Sequence, residues 1–307
     1  MNAIELTHVT KTFGQHVAVD DLSLSVPAGS IYGFIGPNGS GKTTTLRMIM
    51  RIYLPDRGDI RVLGHDHAGV LDSVTYLPEE RMLYKSMKVF DVLKFFARLK
   101  GHNPSVAEMK DWLAKLKLEG WGDKKVEALS KGMTQKVQLI ACLISKPKVV
   151  LLDEPFSGLD PVNAVVLRDA IFDLAETGTT VIFSTHDMSV AEKMCDFIFM
   201  INKGKKVLDG TLASIQQQYR LDTIRVRMAD GNHNGVLTNL PGVTVVVDHG
   251  NLQELRIAAG ANPQEVLQAL IARGPVEHFE VAAPNLHDIF VRIAAPAEQQ
   301  VGEKILG

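Results

Sequence analysis

Eight consecutive residues limit what this chain can fold into more than any other feature. Gly36-Pro37-Asn38-Gly39-Ser40-Gly41-Lys42-Thr43 spells G-x-x-x-x-G-K-T. Glycines let a backbone turn its N–H groups inward, and a helix starting directly afterwards adds its own free N–H groups and dipole. Such a concavity suits polyphosphate oxygens. Lys42 offers a point charge to β- and γ-phosphates, and Thr43 a hydroxyl to Mg²⁺. The motif has meaning only between a strand and a helix. Residues 29–35 form a short apolar strand pattern, and residues 44–50 suit a helix. The expectation is a nucleotide site built from Gly36, Pro37, Asn38, Gly39, Ser40, Gly41, Lys42, Thr43 and Thr44.

A second segment supplies the chemistry that a phosphate cradle lacks. Val149-Val150-Leu151-Leu152-Asp153-Glu154 is an apolar strand run ending in two carboxylates. In α/β sheets the C-terminal ends of strands face the ligand crevice. Asp153 is then expected to hold Mg²⁺, directly or through water, and Glu154 to polarise an attacking water.

Composition narrows the class. The chain has 307 residues, enough for about two domains, and 46% hydrophobic with 22% charged residues is ordinary for a globular protein. A net charge of −2 gives no basic field for nucleic acid. Cys142 and Cys195 sit in apolar helical contexts and read as free thiols of a reducing compartment. No run approaches the ~18 apolar residues of a membrane span, and the first residues lack the charged-then-apolar pattern of a signal. A cytosolic polypeptide is expected; spanning helices, if needed, belong to another chain.

Along the chain, residues 3–9, 17–26 and 30–35 read as strands, and the helix after Lys42 is expected to end near Ile52, before a turn over 54–58. Residues 59–63 and 74–77 read as further strands. From 88 to about 144 the pattern is helical: Val89, Val92, Leu93, Phe96 and Leu99 make one stripe, and Ser105-Val106-Ala107-Glu108 is a capping-box pattern before Met109, Trp112, Leu113 and Leu116. Trp112 and Trp121 read as packing residues. Strands over 148–153 and 179–184 with a helix between them imply an α/β fold with a mostly parallel sheet covered on both faces. After Gly210 and the polar Gln216-Gln217-Gln218, strands are expected over 223–228, 243–248 and 252–257, with a turn over 248–251. A helix over 263–273, a strand over 276–281 and a helix over 285–293 complete a small α+β domain. The expected division is 1–211, with a helical subdomain over 88–144, then 212–295, then a mobile tail over 296–307. Asp230, His233, His249 and His278 are scattered and read as solvated surface.

Three more segments occur in a fixed order: Leu129-Ser130-Lys131-Gly132-Met133-Thr134-Gln135-Lys136, Phe156-Ser157-Gly158-Leu159-Asp160 and Ser184-Thr185-His186. With the phosphate loop and the acidic strand end, they make the chain, up to about Gly210, resemble the nucleotide-binding subunits of ABC transporters. The three segments resemble that family's signature motif, D-loop and switch histidine. The resemblance implies a P-loop NTPase core that hydrolyses ATP with Mg²⁺ and drives transport through a separate transmembrane permease. It implies a cytoplasmic location, peripheral at the cytoplasmic face of the membrane. It also implies a head-to-tail dimer, with a second copy or another ABC subunit, in which the signature of one subunit, with Ser130 and Gly132, completes the partner's ATP site, and it counts Asp160 of the D-loop among the ATP-binding residues. Ser130 and Gly132 open an expected helix, so hydroxyl, N–H and dipole can face an anion. On the same grounds His186 contacts the γ-phosphate beside Glu154 and Lys42, and Phe13 stacks on adenine, for which its π-face suffices. The chain departs from the family pattern twice. Pro78-Glu79-Glu80-Arg81 stands where a glutamine is usual; Glu79 aligns with it and can reach Mg²⁺, but a carboxylate adds charge and cannot donate as an amide does. Lys131 replaces a glycine common in the signature, which places a tolerable cation beside phosphate. These segments, with Pro284-Asn285-Leu286-His287-Asp288-Ile289-Phe290 as a closing helix, look like a prokaryotic branch associated with export.

Two competing readings are weighed. A soluble ABC ATPase acting on ribosomes or DNA is disfavoured by the single cassette, the lack of a long heptad region and the lack of basic excess. A catalytically dead regulatory protein is disfavoured by the retained Lys42, Thr43, Asp153, Glu154 and His186.

Overall fold

A two-residue connection between strands permits only antiparallel pairing, and the chain begins with one. β1 (Asn2–Phe13) turns at Gly14, φ +60°, into β2 (His16–Pro27), with Phe13 opposite His16. The computed structural model describes residues 1–66, 71–80, 83–218, 223–229, 237, 239–248, 252–258 and 260–294. β3 (Ile31–Ile35) is buried along its whole length and leads through the glycine loop into α1 (Lys42–Ile49). This helix stops earlier than expected because Arg51 turns left-handed, φ +58°, and the N–H groups of Ile52 and Tyr53 fold back on the Arg47 carbonyl. β4 (Arg57–Val62) pairs antiparallel with β1, so the strands β2-β1-β4 form a sheet of their own, separate from the parallel one.

β5 (Val74–Leu77) is followed by the helical segment: α2 (Val89–Leu99), α3 (Val106–Lys115), a short 3₁₀ turn at Val126–Ala128, and α4 (Lys131–Leu143). Ser105 caps α3, its Oγ accepting from the Glu108 N–H at 3.1 Å. The reciprocal half of the expected capping box is replaced: the Glu108 carboxylate lies 3.2 Å from His102 Nε2 and 3.0 Å from Lys146 Nζ. Then come β6 (Val149–Asp153), α5 (Pro161–Glu176), β7 (Thr180–Thr185) and α6 (Met188–Met194). β8 (Phe197–Asn202) and β9 (Lys205–Gly210) form a hairpin for which the sequence raised no expectation. Its turn, Lys203 and Gly204 at φ +48° and +76°, is the two-residue type that suits the twist of paired strands.

These strands make a six-stranded sheet in the order β5-β6-β7-β3-β8-β9, parallel except for β9. Alternate side chains leave it on opposite faces. Ile31, Val150, Leu152, Val181 and Phe183 join the core under the helices, whereas Tyr32, Phe34, Val149, Leu151 and Ile182 join the core shared with α1 and the antiparallel sheet. A sheet covered on both sides favours apolar runs without alternation, as in Val149–Leu152 of β6 and the shorter Val181-Ile182-Phe183 of β7. Trp112 and Trp121 pack against the helical core. Cys142 and Cys195 are free, and burial pushes the Cys142 thiol up to about 12 and raises that of Cys195.

The chain divides into two compact units, Met1–Leu212 and Ala213–Gly307. After α7 (Leu212–Gln218), the second unit contains β10 (Thr223–Met228), β11 (Val243–Asp248), β12 (Gln253–Ile257), α8 (Pro263–Ile271), β13 (Val276–Ala282) and α9 (Leu286–Ala294). Its antiparallel sheet runs β11-β12-β10-β13, and Ile224, Val226 and Leu255 share a core with Val266 and Leu270 of α8. His278 is half-exposed beside Glu280, at 3.5 Å. Arg81, Asp230, His233, most of the 248–251 turn and the tail over 296–307 lie outside the described residues.

Candidate functional site

The loop before α1 can close only because two positions carry no Cβ. A Cβ on Gly36 would stand 2.2 Å from the Ile201 carbonyl oxygen, and one on Gly41, at φ +110°, 2.5 Å from that of Ala18. Backbone therefore lies where side chains would otherwise stand, and the loop wraps around the start of a helix whose first N–H groups have no helical partner. Gly39 turns left-handed at φ +76°. The Ser40 hydroxyl is buried with no hydrogen-bond partner among the described residues, an orphan polar group inside a cradle shaped for anionic oxygens.

Lys42 is buried at the base of this cradle. Its ammonium donates to the Gly36 and Pro37 carbonyls at 2.7 and 3.2 Å and lies 3.6 Å from Glu154 Oε1. Burial pushes its pKa below the ordinary lysine value, and the charges of Glu154, Asp153 and Glu79 oppose that push. A cation so placed needs an anion, and Glu154 is the nearest.

The strand ends converge on the loop because parallel pairing sets β3, β6 and β7 in register, with Asp153 opposite Ser184. Asp153, 2% exposed, accepts from Thr43 Oγ1 at 3.1 Å, Ser184 Oγ at 2.5 Å and Tyr76 OH at 3.0 Å. Glu154 adopts φ +49°, uncommon for a residue with a side chain. Its N–H donates to both the carbonyl and the hydroxyl of Ser184, at 3.2 and 3.1 Å. That turn carries its carboxylate to His186, whose Nδ1 lies 3.0 and 3.1 Å from the two oxygens. Glu154 is 9% exposed and His186 55%, so the pair runs from the buried loop to the surface.

Two partners of Asp153, Tyr76 and Ser184, carry no sequence signal of that role. Tyr76 shares β5 with the hydroxyl of Thr75, and Ser184 shares β7 with those of Thr180 and Thr185; nothing local marks Tyr76 or Ser184 as the carboxylate partner. Burial, followed by the Asp153 charge, raises the Tyr76 pKa above its ordinary value, so the phenol remains a donor.

The other expected residues lie at different distances from this cluster. Glu79 is exposed just after β5 and acts on Lys42 through its charge; no hydrogen bond joins it to Thr43 or Asp153 among the described residues. Phe13 ends β1, 42% exposed, with Tyr53 edge-on at 5.2 Å between ring centroids. Ser130 caps α4, its Oγ accepting from the Met133 N–H at 3.3 Å. Asp160 caps α5 in the same way through the Asn163 N–H at 3.0 Å, which holds its carboxyl below the ordinary carboxylate value. The two caps are neighbours: a Cβ on Gly132 would stand 3.3 Å from Asn163 Nδ2. Among the described residues, no hydrogen bond or ion pair links Ser130, Gly132 or Asp160 to Lys42, Thr43, Asp153 or Glu154.

The donor set fits a hard cation held jointly with phosphate: one carboxylate and one hydroxyl oxygen at 3.1 Å, with no cluster of three or more His, Cys, Asp or Glu that could hold a metal by itself among the described residues.

Residues 19–157 match the ABC transporter family, and residues 210–294 match the family described as ATP-binding protein DrrA1-3-like, C-terminal domain. The chain is 38% identical to the uncharacterized ABC transporter ATP-binding protein YhaQ of Bacillus subtilis (strain 168), over 94% of this chain and 97% of that one. It is 30% identical to the daunorubicin/doxorubicin resistance ATP-binding protein DrrA of Streptomyces peucetius, over 98% of this chain and 96% of the relative. It is 32% identical to the Nod factor export ATP-binding protein I of Sinorhizobium fredii (strain NBRC 101917 / NGR234), over 95% and 85%. A solved ATP binding subunit of an ABC transporter superposes with a TM-score of 0.65 at 28% identity, over 71% of this chain and 93% of that one.

Proposed function

From the premise that this chain belongs to the ATP-binding subunits of ABC transporters, ATPases that work with separate membrane subunits, we propose the following roles and an export direction. The loop from Gly36 to Thr44 binds the phosphates of ATP. Thr43 and Asp153 hold Mg²⁺ with the phosphates, and Glu79 lies close enough in charge to contribute. Bound there, the ion would neutralise charge that develops on the phosphate oxygens. Lys42 leaves the Gly36 and Pro37 carbonyls for the β- and γ-phosphates, exchanging neutral acceptors for charged ones.

Glu154 is the general base. One of its carboxylate oxygens takes a proton from the water that attacks the γ-phosphorus, and ADP and phosphate leave. His186 orients that carboxylate from Nδ1. For Nε2 also to donate to the γ-phosphate, both ring nitrogens must carry protons, so that contact belongs to the imidazolium. Ser130 and Gly132 complete the ATP site of a facing subunit, with Asp160 at the same interface. Their proximity to one another, and the absence of any bond from them to this chain's own loop among the described residues, support that division of labour. Phe13 stacks on the base. The exposed Tyr84, Phe95 and Leu99 beside the segment after Glu79 are the face for the membrane subunit. No described helix is long and apolar enough to cross a membrane, so the spans come from that partner at the cytoplasmic face.

The export direction is supported by relatives named for drug resistance and Nod factor export. The observation that carries the catalytic reading is the continuous set of contacts Thr43–Asp153–Ser184–Glu154–His186 beside Lys42. Glu154→Gln tests it: ATP binding is retained, phosphate release falls nearly to zero, and a stable dimer accumulates. Full turnover in that variant removes Glu154 from the role.

A further inference from the structure

One carboxylate outside the phosphate site makes more contacts than a surface turn needs. Asp56 lies in the segment between α1 and β4. Its Oδ2 accepts from the Thr12 N–H at 2.7 Å and the Thr12 hydroxyl at 2.6 Å, and its Oδ1 accepts from Lys11 Nζ at 2.8 Å. Its own N–H donates to the Thr10 carbonyl at 2.8 Å. All four bonds fall on the last residues of β1 before Phe13.

Their effect is to fix that ring. Thr12 is pinned at backbone and side chain, so the peptide leading into Phe13 cannot rotate freely. Lys11, held by the same carboxylate and only 15% exposed, places Nζ over the Phe13 ring, 5.5 Å from its centroid. Tyr53, from the same turn segment as Asp56, meets the ring edge-on at an interplanar angle of 73°. With a cation over the ring and an aromatic edge-on to it, Phe13 still has 42% of its surface exposed. A ring at a hairpin tip would otherwise have to be ordered on binding, at a cost to affinity.

We propose that Asp56 is a positioning residue for the nucleotide base: by clamping Lys11 and Thr12 it holds Phe13 with an open face ready to stack. The proposal rests on Phe13 being the base contact in the reading above. Stacking depends on a π-face being present more than on which base carries it, so the effect separates nucleotides from base-free polyphosphate.

The test measures equilibrium dissociation constants of the full chain for MgATP and for Mg-tripolyphosphate, which has no base. Asp56→Ala is expected to weaken MgATP about 5- to 10-fold, within the range of one base–aromatic stack, and to leave Mg-tripolyphosphate unchanged. Added to Phe13→Ala, it is expected to cause no further loss. Asp56→Asn keeps an acceptor for Thr12 but lacks the charge facing Lys11; it should show a smaller loss confined to MgATP, and it replaces the alanine variant if that one does not fold. Equal weakening of both ligands, or undiminished loss in the Phe13→Ala background, overturns the positioning role and leaves Asp56 a staple between β1 and β4. Unchanged MgATP affinity in Asp56→Ala or Asp56→Asn, with a loss in Phe13→Ala, overturns it as well. Unchanged affinity in Phe13→Ala overturns the base-contact reading itself.

Discussion

Single side chains at the site divide into those announced by a motif and those recruited by the fold. Lys42 and Thr43 belong to an eight-residue pattern whose spacing already carries a mechanism. Tyr76 belongs to none, yet its hydroxyl lies 3.0 Å from the oxygen of Asp153 that Thr43 does not bond. Removing a partner that orients a metal-binding carboxylate typically weakens metal affinity by about tenfold or more. Tyr76→Phe should therefore raise the Mg²⁺ concentration that half-saturates ATP turnover by about tenfold. A Mg²⁺ titration of phosphate release measures this, and an unshifted midpoint would make Tyr76 a packing residue. Phe13 shows the opposite relation: the sequence marks the aromatic, and only the structure brings Asp56 to Lys11 and Thr12, across 44 or 45 positions of chain.

At the scale of elements, helix starts do the placing. Ser130 opens α4 and Asp160 opens α5, each accepting an N–H that the helix cannot satisfy itself. The Asp160 carboxyl lies below its ordinary value of 3.8 because the Asn163 N–H groups bond its charged form. A depressed carboxylate contributes stability that is complete above the unfolded value and is lost as pH falls through the folded one. Urea midpoints of Asp160→Asn, whose amide caps without titrating, should thus vary less with pH below about 4 than those of the parent. Identical acid-side slopes would show that the cap is not what titrates. Element types were largely readable, since β6 carries four consecutive apolar residues, β7 centres on Val181-Ile182-Phe183, and α2 carries one clear stripe. The β8–β9 hairpin is equally legible in Asn202-Lys203-Gly204-Lys205 after an apolar run, a two-residue turn between strands. The end of α1 was not open to reading, because the left-handed turn at Arg51 has no glycine to mark it.

At the scale of the molecule, the first unit holds every residue of the proposed ATP site and the second has its own core of Ile224, Val226, Leu255, Val266 and Leu270. We expect the second unit to serve assembly or regulation. A chain ending at Leu212 should fold and bind MgATP, yet differ from the full chain in dimer formation or in turnover with the membrane subunit. Sedimentation and phosphate release on the two chains check this; identical behaviour would leave the second unit without that role. The sequence by itself determined the phosphate loop, the acidic strand end and the alternation of strands with helices, because each is written in residues a few positions apart, within the reach of backbone geometry and side-chain period. Only the tertiary structure decided that β1, β2 and β4 form a separate sheet and that Thr43 meets Asp153 across 110 positions, with Tyr76 and Ser184 on the same carboxylate. Those contacts depend on which strands become neighbours in the sheet, and that choice is made by burying both faces at once, a property of the packed whole that no local stretch of residues contains.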